Sequence, residues 1–364
     1  MNAGLERYHR QMLLPGFGRE GQERLRTSTA LVLGCGALGS VIADLLARAG
    51  VGHLVIVDRD VVELTNLQRQ VLFDESDVSN SLPKAAAAKR KLERINAGVR
   101  VTAVVDDINY ENIEALAESA DVLVDGLDNF ETRYLANDLA VKTGRPYVYG
   151  AAVATSGMAF TVLPHGNGGL PWETLPDGSL ATPCLRCLFD EPPPPGSTPS
   201  CDTAGVLSSA VGAIANIQVA ETLKLLTGQY GSIRRSLLSV DVWHNEYLPL
   251  GVESARDNAD CRCCVHHEFE YLDGKAGSTA ASLCGRDAVQ LRHRRSGEAV
   301  DLDTLAKRLP AKEPVRVNEF MLIAELTDAG RAYEITVFRD GRTIVKGTDD
   351  AATARTLYAR YIGG

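Results

Sequence analysis

Short, mostly apolar runs alternate along the chain with longer stretches whose apolar residues recur at helical spacing. Ala30 to Leu33 is one such run, ends on Gly34, and feeds an alanine- and leucine-rich stretch that reaches Gly50. His53 to Val57 is a second, the β-branched Val99 to Val105 a third, and Asp121 to Asp125 a fourth. Runs of this length, bounded by turn residues and separated by helical stretches, predict buried strands with helical crossovers. The expected fold is therefore α/β, a Rossmann-like, mostly parallel sheet flanked by helices. Pro83-Lys84, followed by four alanines, opens one of those helices with proline at a tolerated first-turn position. Further on, Gly157 to Leu163 predicts a strand, Val206 to Leu226 a buried helix closed by Gly228, and Leu237 to Val242 a last strand.

Two stretches break this rhythm. Between the Gly157 strand and the Val206 helix lies a Gly-, Pro- and Ser-rich segment whose centre, Glu191 to Pro199, excludes helix and central strand. It predicts a crossover loop, and it carries Cys201. Residues 268–282 are polar and glycine-containing, which predicts a linker between a first domain of residues 1–267 and a small α+β domain of residues 283–364. In that second domain Arg316 to Leu326, Tyr333 to Phe338 and Thr343 to Lys346 predict strands. Asp340-Gly341 predicts the hairpin turn between the last two, and Asp349 to Ile362 a helix with an aspartate N-cap.

At 364 residues the chain is long for one hydrophobic core, which agrees with a large domain plus an appendage. A formal net charge of -9 argues against general nucleic-acid binding, which needs a basic face to displace counterions. No segment reaches the roughly 20 apolar residues of a membrane span, and no apolar stretch follows a basic start, so the cytoplasm is the expected location. Of eight cysteines, Cys184 with Cys187 and Cys261 with Cys264 form two C-x-x-C pairs far apart in sequence. Two such pairs supply four thiolates to a tetrahedral Zn²⁺. Cys263 competes for one place; spacing prefers Cys261 and Cys264. With four protein ligands the ion has no open position, so its expected service is structural: it staples the crossover loop to the end of the domain. His266 and His267 beside the cluster are expected to be solvated.

Candidate chemistry gathers around Gly34, Gly36 and Gly39, a G-x-G-x-x-G turn between strand and helix whose backbone amides can meet a phosphate. Asp58, about 20 residues on, has the offset of a ribose-binding acid. Taken alone this fingerprint fits a nicotinamide or flavin oxidoreductase. The residues that follow do not: Asp60, Asn66 and Arg69 lie in one loop, Lys84 opens a helix, and Asp128-Asn129 follows the Asp121 strand at the carboxyl edge where such sheets bind ligands. Cations, a helix N-terminus and a carboxylate suit a triphosphate with Mg²⁺.

With Arg7-Tyr8-His9-Arg10-Gln11, Asn66-Leu67-Gln68-Arg69-Gln70, Asp128-Asn129-Phe130, both C-x-x-C pairs, Pro199-Ser200-Cys201 and Ala204-Gly205-Val206-Leu207, the chain resembles the ThiF/MoeB family over roughly residues 5 to 265. These are the bacterial relatives of ubiquitin-activating enzymes. The resemblance implies ATP-dependent adenylation of the C-terminal Gly-Gly carboxylate of a ubiquitin-like sulfur carrier, such as those serving molybdopterin, thiamin or thiolated tRNA. It assigns the ribose to Asp58, the phosphates to Asn66, Arg69 and Lys84, and the magnesium to Asp128. It brings Arg10 from the neighbouring protomer, which implies a homodimer. Cys201 matches the position that in some members binds the carrier covalently. The family often has glycine where Ala37 stands, and again where Ser81 or Leu82 precedes Pro83. Nothing after Ser282 resembles the rhodanese domain of many relatives. A nucleotide-binding scaffold without catalysis is the remaining alternative, and the terminal Gly363-Gly364 is expected to be a coincidence. Cys35 and Cys284 are expected to be bystanders.

Overall fold

The computed structural model describes residues 4–165, 170–173, 181–191, 204–256, 260–276, 282–283, 287–291, 300–311, 314–328 and 330–362. Cys201, Cys284 and Gly363-Gly364 lie outside them. The chain divides into two compact units, Met1–Ala276 and Gly277–Gly364.

The first unit is built on eight strands: β1 (Thr29–Leu33), β2 (His53–Val57), β3 (Arg100–Val104), β4 (Val122–Asp125), β5 (Tyr147–Val153), β6 (Ser156–Val162), β7 (Leu237–Asp241) and β8 (Glu246–Leu250). They lie in the order β3-β2-β1-β4-β5-β6-β7-β8. The first five in that order run parallel and the last three are added antiparallel. Both faces of β1, β2 and β4 are covered, which is why they are buried at every position, whereas the outer strand β3 is exposed at Arg100 and Thr102. Leu31 and Leu33 of β1 share a core with Leu135 and Leu139 of the Phe130–Thr143 helix. The alternate residue Val32 faces the Ala37–Ala49 helix, since a Cβ on Gly39 would lie 3.6 Å from Val32 Cγ1. The Ser208–Thr227 helix packs against the Ala37–Ala49 helix and ends in left-handed Gly228.

All five residues of β8 are exposed, and Pro249 sits within it. Proline lacks the amide a central strand would need, so it is tolerated at this edge. Phe269 and Leu272, in the stretch expected to link the units, pack on the core of the first unit, where Asp138 Oδ2 accepts the Tyr271 and Leu272 amides.

The second unit is an antiparallel sheet of six strands: β9 (Ser282–Leu283), β10 (Ala288–Leu291), β11 (Arg316–Val317), β12 (Met321–Asp328), β13 (Arg331–Phe338) and β14 (Thr343–Lys346). Their order is β11-β12-β13-β14-β10-β9. The Leu302–Arg308 and Ala351–Tyr361 helices contribute Leu302, Leu305, Ala354 and Leu357 to its core. The single strand expected over residues 316–326 is two, because Asn318 Oδ1 accepts the amides of Phe320 and Met321 and turns the chain. Asp350 caps the last helix and Gly341 turns the β13–β14 hairpin with φ 83°, both as expected.

Candidate active site and cysteine cluster

The ends of β1 and β4 interlock through glycines. A Cβ on Gly39 would lie 2.0 Å from the Gly34 carbonyl oxygen, one on Gly126 2.5 Å from the same oxygen, and one on Gly34 2.7 Å from the Gly126 oxygen. Gly34 also needs its positive φ of 85°. Gly36 differs: it caps the Ala37–Ala49 helix, and the nearest atom to a Cβ there is 3.9 Å away. Its open side, at a helix N-terminus, is a place for an anion.

Asp58 follows β2, and its amide donates to Val104 O. Its carboxylate is buried; Oδ2 accepts the Cys35 amide and Oδ1 the Asp60 amide, each at 2.7 Å, so the acid is stitched to the glycine turn. Burial pushes this carboxyl up, and Lys84 draws it back down. Lys84 begins the Lys84–Ile95 helix, is 3% exposed, and places Nζ 2.9 Å from Asp60 Oδ2. Ser81, where the family often has glycine, is held at φ 49° and buried. The backbone there takes the conformation glycine favours, with serine bearing it.

Of the remaining expected residues, Asp128 stands near Arg59, whereas Arg10 lies at the other end of the Ala37–Ala49 helix, where its neighbour Gln11 donates to Ala49 O. Asn66 is buried and its Oδ1 accepts the Glu63 amide at 3.0 Å. Arg69 Nη1 donates to Thr65 O at 2.9 Å. Asp128 is exposed and its Oδ1 accepts from Asn129 Nδ2 at 3.3 Å, while Asn129 Oδ1 caps the next helix at the Thr132 amide. Arg10 is exposed on the short His9–Met12 helix.

Two features were not anticipated from the sequence. Arg59, between the two expected acids, pairs with Asp107 Oδ1 at 2.8 Å and lies 3.8 Å from Asp60. Burial would draw its guanidinium down, but Asp107, then Asp60 and Asp128, hold it above its ordinary value. Arg133 is buried beneath β4: Nε donates to Asp125 Oδ2 at 3.1 Å and Nη2 to Leu127 O at 2.7 Å, while Tyr147 Oη donates to Asp125 Oδ2 at 2.7 Å. This network fixes the backbone that leads to Asp128. An arginine directly after a ribose-type acid was the available signal for Arg59.

The four expected cysteines converge. The Sγ atoms of Cys184, Cys187, Cys261 and Cys264 lie within 4.8 Å of one another, with close pairs at 3.7, 3.6 and 3.3 Å. Thiolates about 2.3 Å from a tetrahedral ion stand about 3.8 Å apart, so the set fits one metal ion with no position left for water. Hydrogen bonds from neighbouring thiols, Cys187 first, hold Cys184 well below the usual thiol range. Cys263 stands beside Cys184 but outside the four mutually close sulfurs, and its Sγ accepts from Asn137 Nδ2 at 3.3 Å. Asn137 Oδ1 in turn accepts the Leu185 amide, so one side chain braces both cysteine segments. His266 and His267 are exposed and stand outside the cluster.

A doubly wound sheet with an open helix N-terminus at its carboxyl edge, in a unit that also carries four cysteines able to hold a metal ion, has the architecture of a nucleotide-binding α/β protein. The ThiF family profile matches residues 8–263, and the chain belongs to that family. It is 43% identical over 358 residues to the sulfur carrier protein ThiS adenylyltransferase of Bacillus subtilis, covering 98% of this chain and 99% of that one. It is 41% identical over 260 residues to a sulfur carrier protein adenylyltransferase of Thermus thermophilus, covering 71% and 90%. Among solved structures, E. coli MccB with ATP aligns with TM-score 0.57 at 20% identity, over 72% of this chain and 74% of that one, a likeness of fold.

Proposed function

We propose that this chain is an ATP-dependent adenylyltransferase that activates the C-terminal Gly-Gly carboxylate of a ubiquitin-like sulfur-carrier protein. The observation that carries this reading is the nearly end-to-end match to the Bacillus subtilis enzyme, whose name specifies the carrier ThiS. In the reaction a carboxylate oxygen bonds to the α-phosphorus. The bond from that phosphorus to the β-bridging oxygen breaks, and pyrophosphate leaves with its electron pair. The protein's task is to bring two anions together and offset their repulsion.

In this reading the Gly34–Gly39 turn receives the phosphates at Gly36 and Ala37, and Asp58 takes the ribose. Both Asp58 oxygens already accept an amide, but a carboxylate has about four acceptor positions and can serve hydroxyls as well. Lys84 is oriented by Asp60, and Asn66 and Arg69 stand at the phosphates. Asp128, beside Asn129, would hold Mg²⁺, an ion that takes one or two carboxylates together with substrate phosphates and offsets their charge. The four thiolates suit Zn²⁺, which fixes the crossover segment and takes no part in the chemistry. Leu13 and Leu14, just after Arg10, are 68% and 57% exposed, and Leu64 and Val71 flank the Asn66–Arg69 loop at 66% and 59%. Apolar surface on either side of these residues supports a homodimer in which Arg10 completes the partner's site. Exposed Trp243, Tyr247 and Leu248 at the β8 edge support a protein as the second substrate. Among the described residues no helix is long and apolar enough to cross a membrane, and the cytoplasm is the proposed location. Cys201 would accept the carrier covalently after adenylation.

ATP–pyrophosphate exchange with a panel of Gly-Gly carriers, a ThiS-like one first, tests the proposal. Exchange should depend on the carrier and vanish in Asp128→Ala. A protein that ignores ATP with Mg²⁺ and retains a nicotinamide or flavin would sink it.

A further inference from the structure

The carboxyl edge of the sheet presents its chemistry in one direction. β1, β2 and β3 lie side by side in parallel register, Leu33 beside Val57 and Val57 beside Val104. The open glycine turn follows β1, Asp58 follows β2, and Asp107 comes three residues after β3. Phosphates, ribose and base are joined in that same order. A nucleotide with its phosphates at Gly36 and its ribose at Asp58 therefore extends its base toward the end of β3.

What stands there is the Arg59–Asp107 pair, 2.8 Å apart, its side chains 24% and 23% exposed. The loop that carries it is fixed in advance: Asp106 Oδ1 accepts the Asp107 amide at 2.7 Å, and Asn112 Nδ2 donates to Asp107 O at 2.6 Å. Val104 and Ile108, half-buried against the core, give the same corner an apolar floor. A wholly exposed ion pair would contribute little and need no such support.

We propose that this pair reads the base: the Arg59 guanidinium lies on the face of a purine, and the Asp107 carboxylate accepts the exocyclic amino group of adenine. The inference rests on the nucleotide site proposed above and names its specificity element. The planar guanidinium suits stacking on a ring, which an ammonium does not. A carboxylate has about four acceptor positions, so one that pairs with a guanidinium can accept an amino group as well. Guanine presents a carbonyl oxygen at that position, and two acceptors facing each other repel.

Calorimetric titration of the full-length protein with ATP and with GTP, both with Mg²⁺, tests this. Asp107→Asn offers a donor as well as an acceptor, so the preference for ATP over GTP should fall at least about tenfold. Arg59→Ala and Arg59→Lys should both weaken ATP binding about tenfold, the lysine failing because it keeps the charge without the plane. Thermal melting of each variant accompanies the titrations. A merely structural pair would shift the melting point and leave the ATP-to-GTP ratio of the folded protein unchanged. An unchanged ratio in Asp107→Asn, with wild-type protein binding ATP, overturns the inference alone. Wild-type protein that binds neither nucleotide overturns the site on which it rests.

Discussion

Gly39 and Gly36 stand three residues apart in one motif, yet alanine at each should fail for opposite reasons. At Gly39 the new Cβ would fall 2.0 Å from the Gly34 carbonyl oxygen and 2.9 Å from its carbon. Both are backbone atoms tied to β1, so no rotamer relieves the clash, and the helix must move by about 1 Å from the strand end. Overpacking of this kind costs roughly 1–3 kcal/mol, and a backbone-on-backbone clash belongs at the upper end, about 3. For a unit of this size that lowers the melting point by about 6–12 °C. At Gly36 the Cβ meets nothing closer than 3.9 Å, so the loss should stay at about 1 kcal/mol or less, that of alanine at a helix N-cap. There the methyl group occupies the space a phosphate needs, and ATP affinity should fall at least about tenfold, a loss near 1.4 kcal/mol. Differential scanning calorimetry and ATP titration on both variants separate the effects. A Gly36→Ala protein that melts early but binds ATP normally, or a Gly39→Ala protein that melts like wild type, would refute the assignment of one glycine to packing and the other to ligand.

Lys84→Met should cost about 3 kcal/mol in chemical denaturation, because it leaves the Asp60 carboxylate without its buried partner, and adding Asp60→Asn should recover part of the loss. Removing the metal with a strong chelator should lower the melting point of the first unit by about 10 °C or more, since binding energy at a four-thiolate site is folding energy. Mass spectrometry of metal content should then find one zinc per chain before treatment. If Arg10 completes its partner's site, Arg10→Ala and Asp128→Ala proteins, each inactive alone, should regain about a quarter of wild-type exchange when mixed and allowed to re-pair, because half the dimers then hold one intact site. No recovery after verified subunit exchange would place Arg10 in its own protomer's site or outside it.

The centre of the parallel sheet was legible because burial on both faces makes β1, β2 and β4 almost wholly apolar, and the glycine turn and the four cysteines because each requires one residue type at one spacing. β8 was not legible: an edge strand exposed at every position carries no alternation, and Pro249 argues against it unless the edge is known. The single strand expected over 316–326 failed because a side-chain turn at Asn318 is invisible to hydrophobic periodicity. Arg59 and Arg133 were passed over for a related reason. A lone basic residue usually means a solvated surface, and only the fold shows that Asp107, 48 residues from Arg59, stands beside it.

The Phe130–Thr143 helix connects the four-cysteine cluster to the corner that carries Asp128. It begins directly after Asp128-Asn129, with Asn129 as its cap, and about 12 Å further along its axis Asn137 and Asp138 hold Leu185, Cys263, Tyr271 and Leu272. Asn137 and Asp138 are both fully buried, so they serve the cluster and nothing in solvent. The helix is therefore held at its middle by the two cysteine segments and in its first turn by Arg133, which donates to Asp125 and Leu127. If Asp128 holds Mg²⁺ as proposed, its backbone has to be held from both sides. The cysteine cluster would then supply one of those holds, through Asn137.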